Sequence, residues 1–152
     1  MSEEKAQTDF RLYQLYAATT QAVSEQRAGT NKWMLTVNSA ITSLYGFLAY
    51  GKSSAPDDQH VIWLIAIPCA GAIVCFAWAA MLASYRKLNA AKFAVIHEME
   101  AALPSAPFLR EREIYRSMGR RPLSQVEKLV PFAFVALYAA LAAGPVAGVI
   151  GN

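Results

Sequence analysis

Charge is scarce in this sequence: Asp, Glu, Lys and Arg make up 16% of its 152 residues, and there are only two histidines and two cysteines. The histidines, His60 and His97, stand far apart, and neither belongs to a metal-ligand or nucleophile pattern. The segment His97-Glu98-x-Glu100 contains metal-ligating residue types, but adjacent helical positions diverge, so an ion pair between helices is the ordinary reading. No cofactor, metal or catalytic residue is expected, and the chain is expected not to be an enzyme. Cys69 and Cys75 are six positions apart, which on one helix points them to different faces; they read as small apolar packing residues. Residues 1–32 include Glu3, Glu4, Asp9 and Glu25 and no apolar core, which argues against a cleavable secretory signal and leaves targeting to the first apolar run.

What the sequence has instead is apolar residues, at 55% of the chain against the ~45–50% usual in soluble domains. They fall in three stretches without Asp, Glu, Lys or Arg: Trp33 to Gly51, Gln59 to Tyr85 and Leu129 to Asn152. Each is near or above the ~20 residues a helix needs to cross the hydrocarbon core. The expected fold is therefore an all-α integral membrane protein with three transmembrane helices, an amphipathic N-terminal helix and a cytoplasmic helical extension of the second span. Intramembrane charges of the kind that mark proton relays and coupled transporters are missing.

Thirteen of the fourteen Lys and Arg residues lie before the first run or between the second and third; Lys52 alone lies between the first and second. The positive-inside rule then places the N-terminus and the 86–128 segment in the cytoplasm, with the 52–58 loop and the C-terminus outside. The divisions are a cytoplasmic amphipathic helix at 1–32, spans at 33–51, 59–85 and 129–152, an outer loop at 52–58, and a cytoplasmic stalk with a basic loop at 86–128.

Within 1–32, Leu12, Leu15, Tyr16, Thr19 and Val23 recur at helical spacing, and Gly29 marks a candidate joint before the first span. Pro68 predicts a modest kink in the second. Beyond it, Leu88, Val95, Ile96, Met99 and Leu103 form an apolar stripe that continues the helix as a stalk and offers an interface. Arg110, Arg112, Arg116, Arg120, Arg121 and Lys128 follow. With Tyr115 as their one interleaved aromatic and a membrane beside them, they fit anionic headgroups, at about 1 kcal/mol each, rather than nucleic acid. Ser124 to Glu127 reads as a capping box for the third helix.

In lipid, helices associate closely where small residues let their backbones approach. Two ridges at a spacing of four meet that need: Gly71, Cys75, Ala79 and Ala83 in the second span, and Ala136, Ala140, Gly144 and Gly148 in the third. Each serves equally well for packing within one chain or between copies. On the first span, Thr36, Asn38, Ser39, Thr42 and Ser43 share one broad polar face, which either bonds to a neighbouring helix or lines an aqueous path.

One set of residues looks familiar by order and spacing. It runs from Arg27, Thr30, Asn31 and Leu35-Thr36-Val37-Asn38, through Trp78 and Ser84-Tyr85-Arg86-Lys87-Leu88-Asn89, to His97-Glu98-Met99-Glu100, Leu103-Pro104 and Pro122-Leu123-Ser124 with Glu127 and Pro131. It resembles the RipA family of small bacterial inner-membrane proteins, from about Leu12 to Tyr138. The resemblance implies a homo-oligomer, an octamer, in the bacterial cytoplasmic (inner) membrane, without known catalysis. The layout of a helix leading into a hairpin with a cytoplasmic extension also resembles the SLATT membrane effectors, from which the third span departs. Two functions follow as expectations: an oligomeric membrane scaffold whose cytoplasmic parts engage lipid or a cytoplasmic protein, and an oligomeric pore or membrane-disrupting effector lined by the polar face of the first span.

Overall fold

A computed structural model describes residues 2–51, 57–119 and 126–150. Among them are four helices and no strand: α1 (Ser2–Tyr50), α2 (Asp57–Glu100), α3 (Pro107–Ser117) and α4 (Leu129–Ile150). The all-α expectation holds. The span count does not: two of these helices, not three, are long and apolar enough to cross a membrane, α2 from Gln59 onward and α4. The run 33–51 is helical but falls short because Thr36, Asn38, Ser39, Thr42 and Ser43 dilute its apolar residues.

Four of those polar side chains, Asn38 among them, close bonds to the preceding turn. Thr36 Oγ1 donates to the Lys32 carbonyl at 3.0 Å, Thr42 Oγ1 to Asn38 O at 2.9 Å and Ser43 Oγ to Ser39 O at 2.9 Å. Back-bonding of this kind satisfies a hydroxyl inside its own helix. Gly29, read from sequence as a joint, lies in unbroken helix. One glycine costs about 1 kcal/mol relative to alanine, too little to interrupt a helix of 49 residues. Likewise α2 runs through Pro68.

After α2 the chain turns through Ala101–Ala106, and Pro107 opens α3 at the first helical position, where its missing N–H costs nothing. The far end of α3 closes on Gly119, whose φ of 62° is the left-handed conformation that glycine adopts without a Cβ clash. Residues 52–56, and the Ser124 half of the capping box, lie outside the described residues; α4 begins at Leu129.

The chain divides into two compact units. The first comprises Met1–Gly29 and Ala83–Ser124, the second Thr30–Leu82 and Gln125–Asn152. In the first, Tyr13, Thr20 and Val23 of α1 and Ile96 and Glu100 of α2 are buried. In the second, the buried set is Asn38 and Tyr45 of α1, Ile67, Pro68, Gly71, Cys75, Trp78 and Leu82 of α2, and Pro131 and Tyr138 of α4.

Candidate functional site

Asn38 is the most buried polar group of the second unit, at 0% exposure. Its Nδ2 donates to the Met34 carbonyl at 2.8 Å, which fixes the amide and leaves Oδ1 free to accept. Two donors converge on that oxygen: Cys75 Sγ of α2 at 3.0 Å and the Tyr138 hydroxyl of α4 at 3.0 Å, the latter shared with the Asn38 carbonyl at 3.2 Å. Two more bonds leave α1 nearby. Trp78 Nε1 donates to Asn31 Oδ1 at 2.9 Å, and the Tyr45 hydroxyl donates to the Leu141 carbonyl at 2.8 Å. Interhelical hydrogen bonds in membranes average about 0.6 kcal/mol each, so the set specifies which faces meet more than it adds stability.

Of the polar face expected on the first span, Asn38 alone is fully buried; Thr42 is half-buried, and Thr36, Ser39 and Ser43 are exposed. The two small-residue ridges also part company. On α2, Gly71 and Cys75 are buried and Ala79 and Ala83 half-buried, and a Cβ at Gly71 would come within 2.5 Å of the Tyr138 ring. That ridge makes room for the tyrosine of α4. On α4, Ala136, Ala140, Gly144 and Gly148 are exposed, and a Cβ at either glycine would meet nothing within 4 Å.

The first unit is organised by Glu100, which is 2% exposed. Its Oε1 accepts from the Tyr13 hydroxyl of α1 at 3.1 Å and from Phe108 N at 2.8 Å; Oε2 accepts from Leu109 N at 3.0 Å and lies 3.3 Å from His97 Nδ1. Phe108 and Leu109 are in the first turn of α3, whose N–H groups have no partner in their own helix. The N-cap residue, Ala106, has no side chain to offer them. A carboxylate at a helix N-terminus satisfies those donors and meets the positive end of the dipole. Burial pushes the Glu100 pKa up, but the hydrogen bonds from Phe108, His97, Leu109 and Tyr13 outweigh it and hold the carboxyl below its usual range. Burial, together with the bond to Glu100 and its charge, raises the Tyr13 hydroxyl, which stays protonated and donates.

Eight residues away along α2, Lys92 Nζ donates to Thr19 Oγ1 at 2.9 Å and lies 5.5 Å from the Tyr16 ring centre. The expected stalk residues are divided: Ile96 is buried, Val95, Met99 and Leu103 are half-buried, and Leu88 is exposed. Between α2 and α3 lies a cleft of about 560 Å³ walled by Ala90, Phe93 and His97 on one side and Phe108, Arg112 and Tyr115 on the other. Of the basic residues, Arg110, Arg112 and Arg116 are exposed on α3 and Lys128 is half-buried; Arg120 and Arg121 lie outside the described residues. Among the described residues no cluster of His, Cys, Asp and Glu could hold a metal.

Sequence reasoning reached Asn38 but not its partners, because neither Cys75 nor Tyr138 carries a local signal for a contact 37 or 100 positions away. It missed the role of Glu100 too. A signal was there: Ala106-Pro107 opens a helix with no capping side chain, so its donors need an acceptor from elsewhere.

Among the described residues there are four helices and no strand, and two of the helices are long and apolar enough to cross a membrane, a pattern that fits a helical membrane protein. The chain belongs to the octameric membrane protein family (8xMP), whose family model matches residues 10–146. No curated protein and no solved structure matches it. Family membership makes it a membrane-associated homo-oligomer.

Proposed function

We propose that the chain is the subunit of a non-catalytic scaffold in a bacterial cytoplasmic membrane, with its N-terminus and first unit in the cytoplasm and its C-terminus outside. The observation that carries this reading is the burial of Asn38. A path through the membrane would draw on the most polar side chain of the first run, and both ends of that amide are already bonded to Met34, Cys75 and Tyr138. The segment 33–51 then crosses beside α2 and α4 with its amide turned towards them, although it is too polar to face lipid alone.

The exposed arginines of α3, Arg110, Arg112 and Arg116, suit anionic headgroups at the cytoplasmic surface, and a cytoplasmic protein is a second partner for the first unit. The RipA-like identity is supported by where its residues stand, since Asn31 meets Trp78 and His97 meets Glu100.

A pore is the second reading, favoured by the exposure of Thr36, Ser39 and Ser43 on α1. Ion flux through liposomes containing the size-characterised oligomer separates the two. The scaffold predicts flux no greater than that of protein-free vesicles. Flux that a Ser39→Leu, Ser43→Leu double variant abolishes while the oligomer keeps its size would replace the scaffold with a pore.

A further inference from the structure

The attachment of α3 is unusual in resting on so little of its own. None of its residues is buried, its N-cap residue makes no side-chain hydrogen bond, and an open cleft of about 560 Å³ runs between it and α2, bridged by the Phe93 and Phe108 rings. Helix pairs that hold by packing fill such space. What joins α3 to the rest of its unit is the Glu100 carboxylate on its first-turn amides, with Phe108 edge-on to the rings of Tyr13 and Phe93.

We propose that α3 is a strap latched by Glu100, able to swing out as one piece while the pairing of α1 with α2 stays in place. The elements on either side suit such a motion. The strap starts from the Ala101–Ala106 turn and ends at Gly119, whose positive φ closes the helix end. The pairing it would leave behind has its own contacts, from Lys92 to Thr19 and to the Tyr16 ring. Opening uncovers Tyr13 and the Glu100 carboxylate, parts Phe108 from the Phe93 ring, and lets Arg110, Arg112 and Arg116 reorient together. The device does not depend on whether the assembly is a scaffold or a pore; it decides which surface the first unit presents.

Glu100→Gln tests the latch in the full-length oligomer. The amide keeps the size of the carboxylate, but it has one acceptor oxygen for two backbone donors and turns an NH₂ group towards the other. Hydrogen exchange at Phe108 and Leu109 is expected to speed up about ten-fold or more, the loss of a charge-assisted bond, with trypsin cleavage appearing at Arg110 to Arg116. Exchange along 13–23 and 88–96 and the size of the oligomer should not change. Tyr13→Phe is the milder companion: it removes the α1 donor but leaves both α3 amides bonded, so α3 should stay protected. Unchanged protection of α3 in Glu100→Gln would show that another contact seats it. Loss of protection spreading through α1 and α2 in both variants would make Glu100 a core residue of the unit and overturn the strap.

Discussion

The Tyr138 hydroxyl of α4 bonds to Asn38 of α1, 3.0 Å from Oδ1 and 3.2 Å from the backbone carbonyl, while its ring occupies the space that a side chain at Gly71 of α2 would need. One residue thus ties together two apolar helices and the polar segment of α1. The relationship also changes how Asn38 is used experimentally. Its replacement perturbs packing whether or not ions pass, so exposed Ser39 and Ser43 are the better probes of a path.

Asn38→Ala removes the acceptor of the Cys75 thiol and leaves the Tyr138 hydroxyl only the backbone carbonyl of residue 38. Unsatisfied buried donors cost about 1–3 kcal/mol, and the interhelical bonds themselves about 0.6 kcal/mol each, so a loss of about 1–3 kcal/mol is expected. Tyr138→Phe removes one donor and leaves Oδ1 bonded to Cys75, and should cost less than 1 kcal/mol. Denaturation of the detergent-solubilised protein measures both. Equal, negligible effects would mean that the bonds are replaced elsewhere.

Gly71→Val places a branched side chain against the Tyr138 ring, whose atoms lie 2.5 to 2.8 Å from where the Cβ would be. Overpacking of this kind costs about 1–3 kcal/mol. Tyr138→Ala added to Gly71→Val should recover part of that loss by vacating the space, and a double-mutant cycle in detergent gives the coupling directly. Additive losses would mean that Gly71 and Tyr138 do not compete for the same volume.

Much of the helical architecture was legible because it is written locally. Apolar runs gave α4 and the second span, and the periodic stripe beyond Tyr85 carried α2 on to Glu100. Asn38 was equally visible as a polar residue that should avoid lipid. Its two partners were not, since a cysteine or tyrosine among apolar residues looks the same whether it packs or bonds. The first run, 33–51, was counted on its absence of charge alone, without the cost of five hydroxyl or amide side chains that leave it short of an apolar span by itself. Glu100 was hidden for the opposite reason. It sits among Glu98, His97 and Met99 in what looks like an ordinary solvated stretch, and only the return of α3 gives it a helix end to cap.

The latch should also respond to acid. Glu100 has a lowered pKa in the folded protein, so its charged form favours the docked strap; that contribution is complete above the carboxylate's ordinary pKa and disappears as pH falls through the lower folded value. The titratable groups facing it are Tyr13 from α1 and His97 from α2, with Glu111 and Arg112 one turn further along α3. The distance between spin labels at Ser117 of α3 and Lys87 of α2, both exposed, is expected to hold one narrow value from neutral pH down to below the usual carboxylate range and then broaden. In Glu100→Gln it should be broad throughout. A wild-type transition at mildly acidic pH, well above that range, would assign the response to another group.

The ridge on α4 offers the clearest test of where subunits meet. Gly144 is exposed and a Cβ added there meets nothing within 4 Å among the described residues, so Gly144→Leu should leave the melting of the isolated subunit within about 0.5 kcal/mol of the parent, as surface changes generally do. Any larger penalty must come from outside the chain. If Ala136, Ala140 and Gly144 let a neighbouring copy approach closely, the leucine forces the two backbones apart, and native mass spectrometry should show the oligomer dissociating into smaller species. Gly71→Val would behave differently, destabilising the subunit itself through Tyr138. An oligomer that withstands Gly144→Leu would turn the α4 ridge towards lipid and move the seam to the other small polar surface left open, the Ser39 and Ser43 side of α1, where the corresponding leucine variants should then break it.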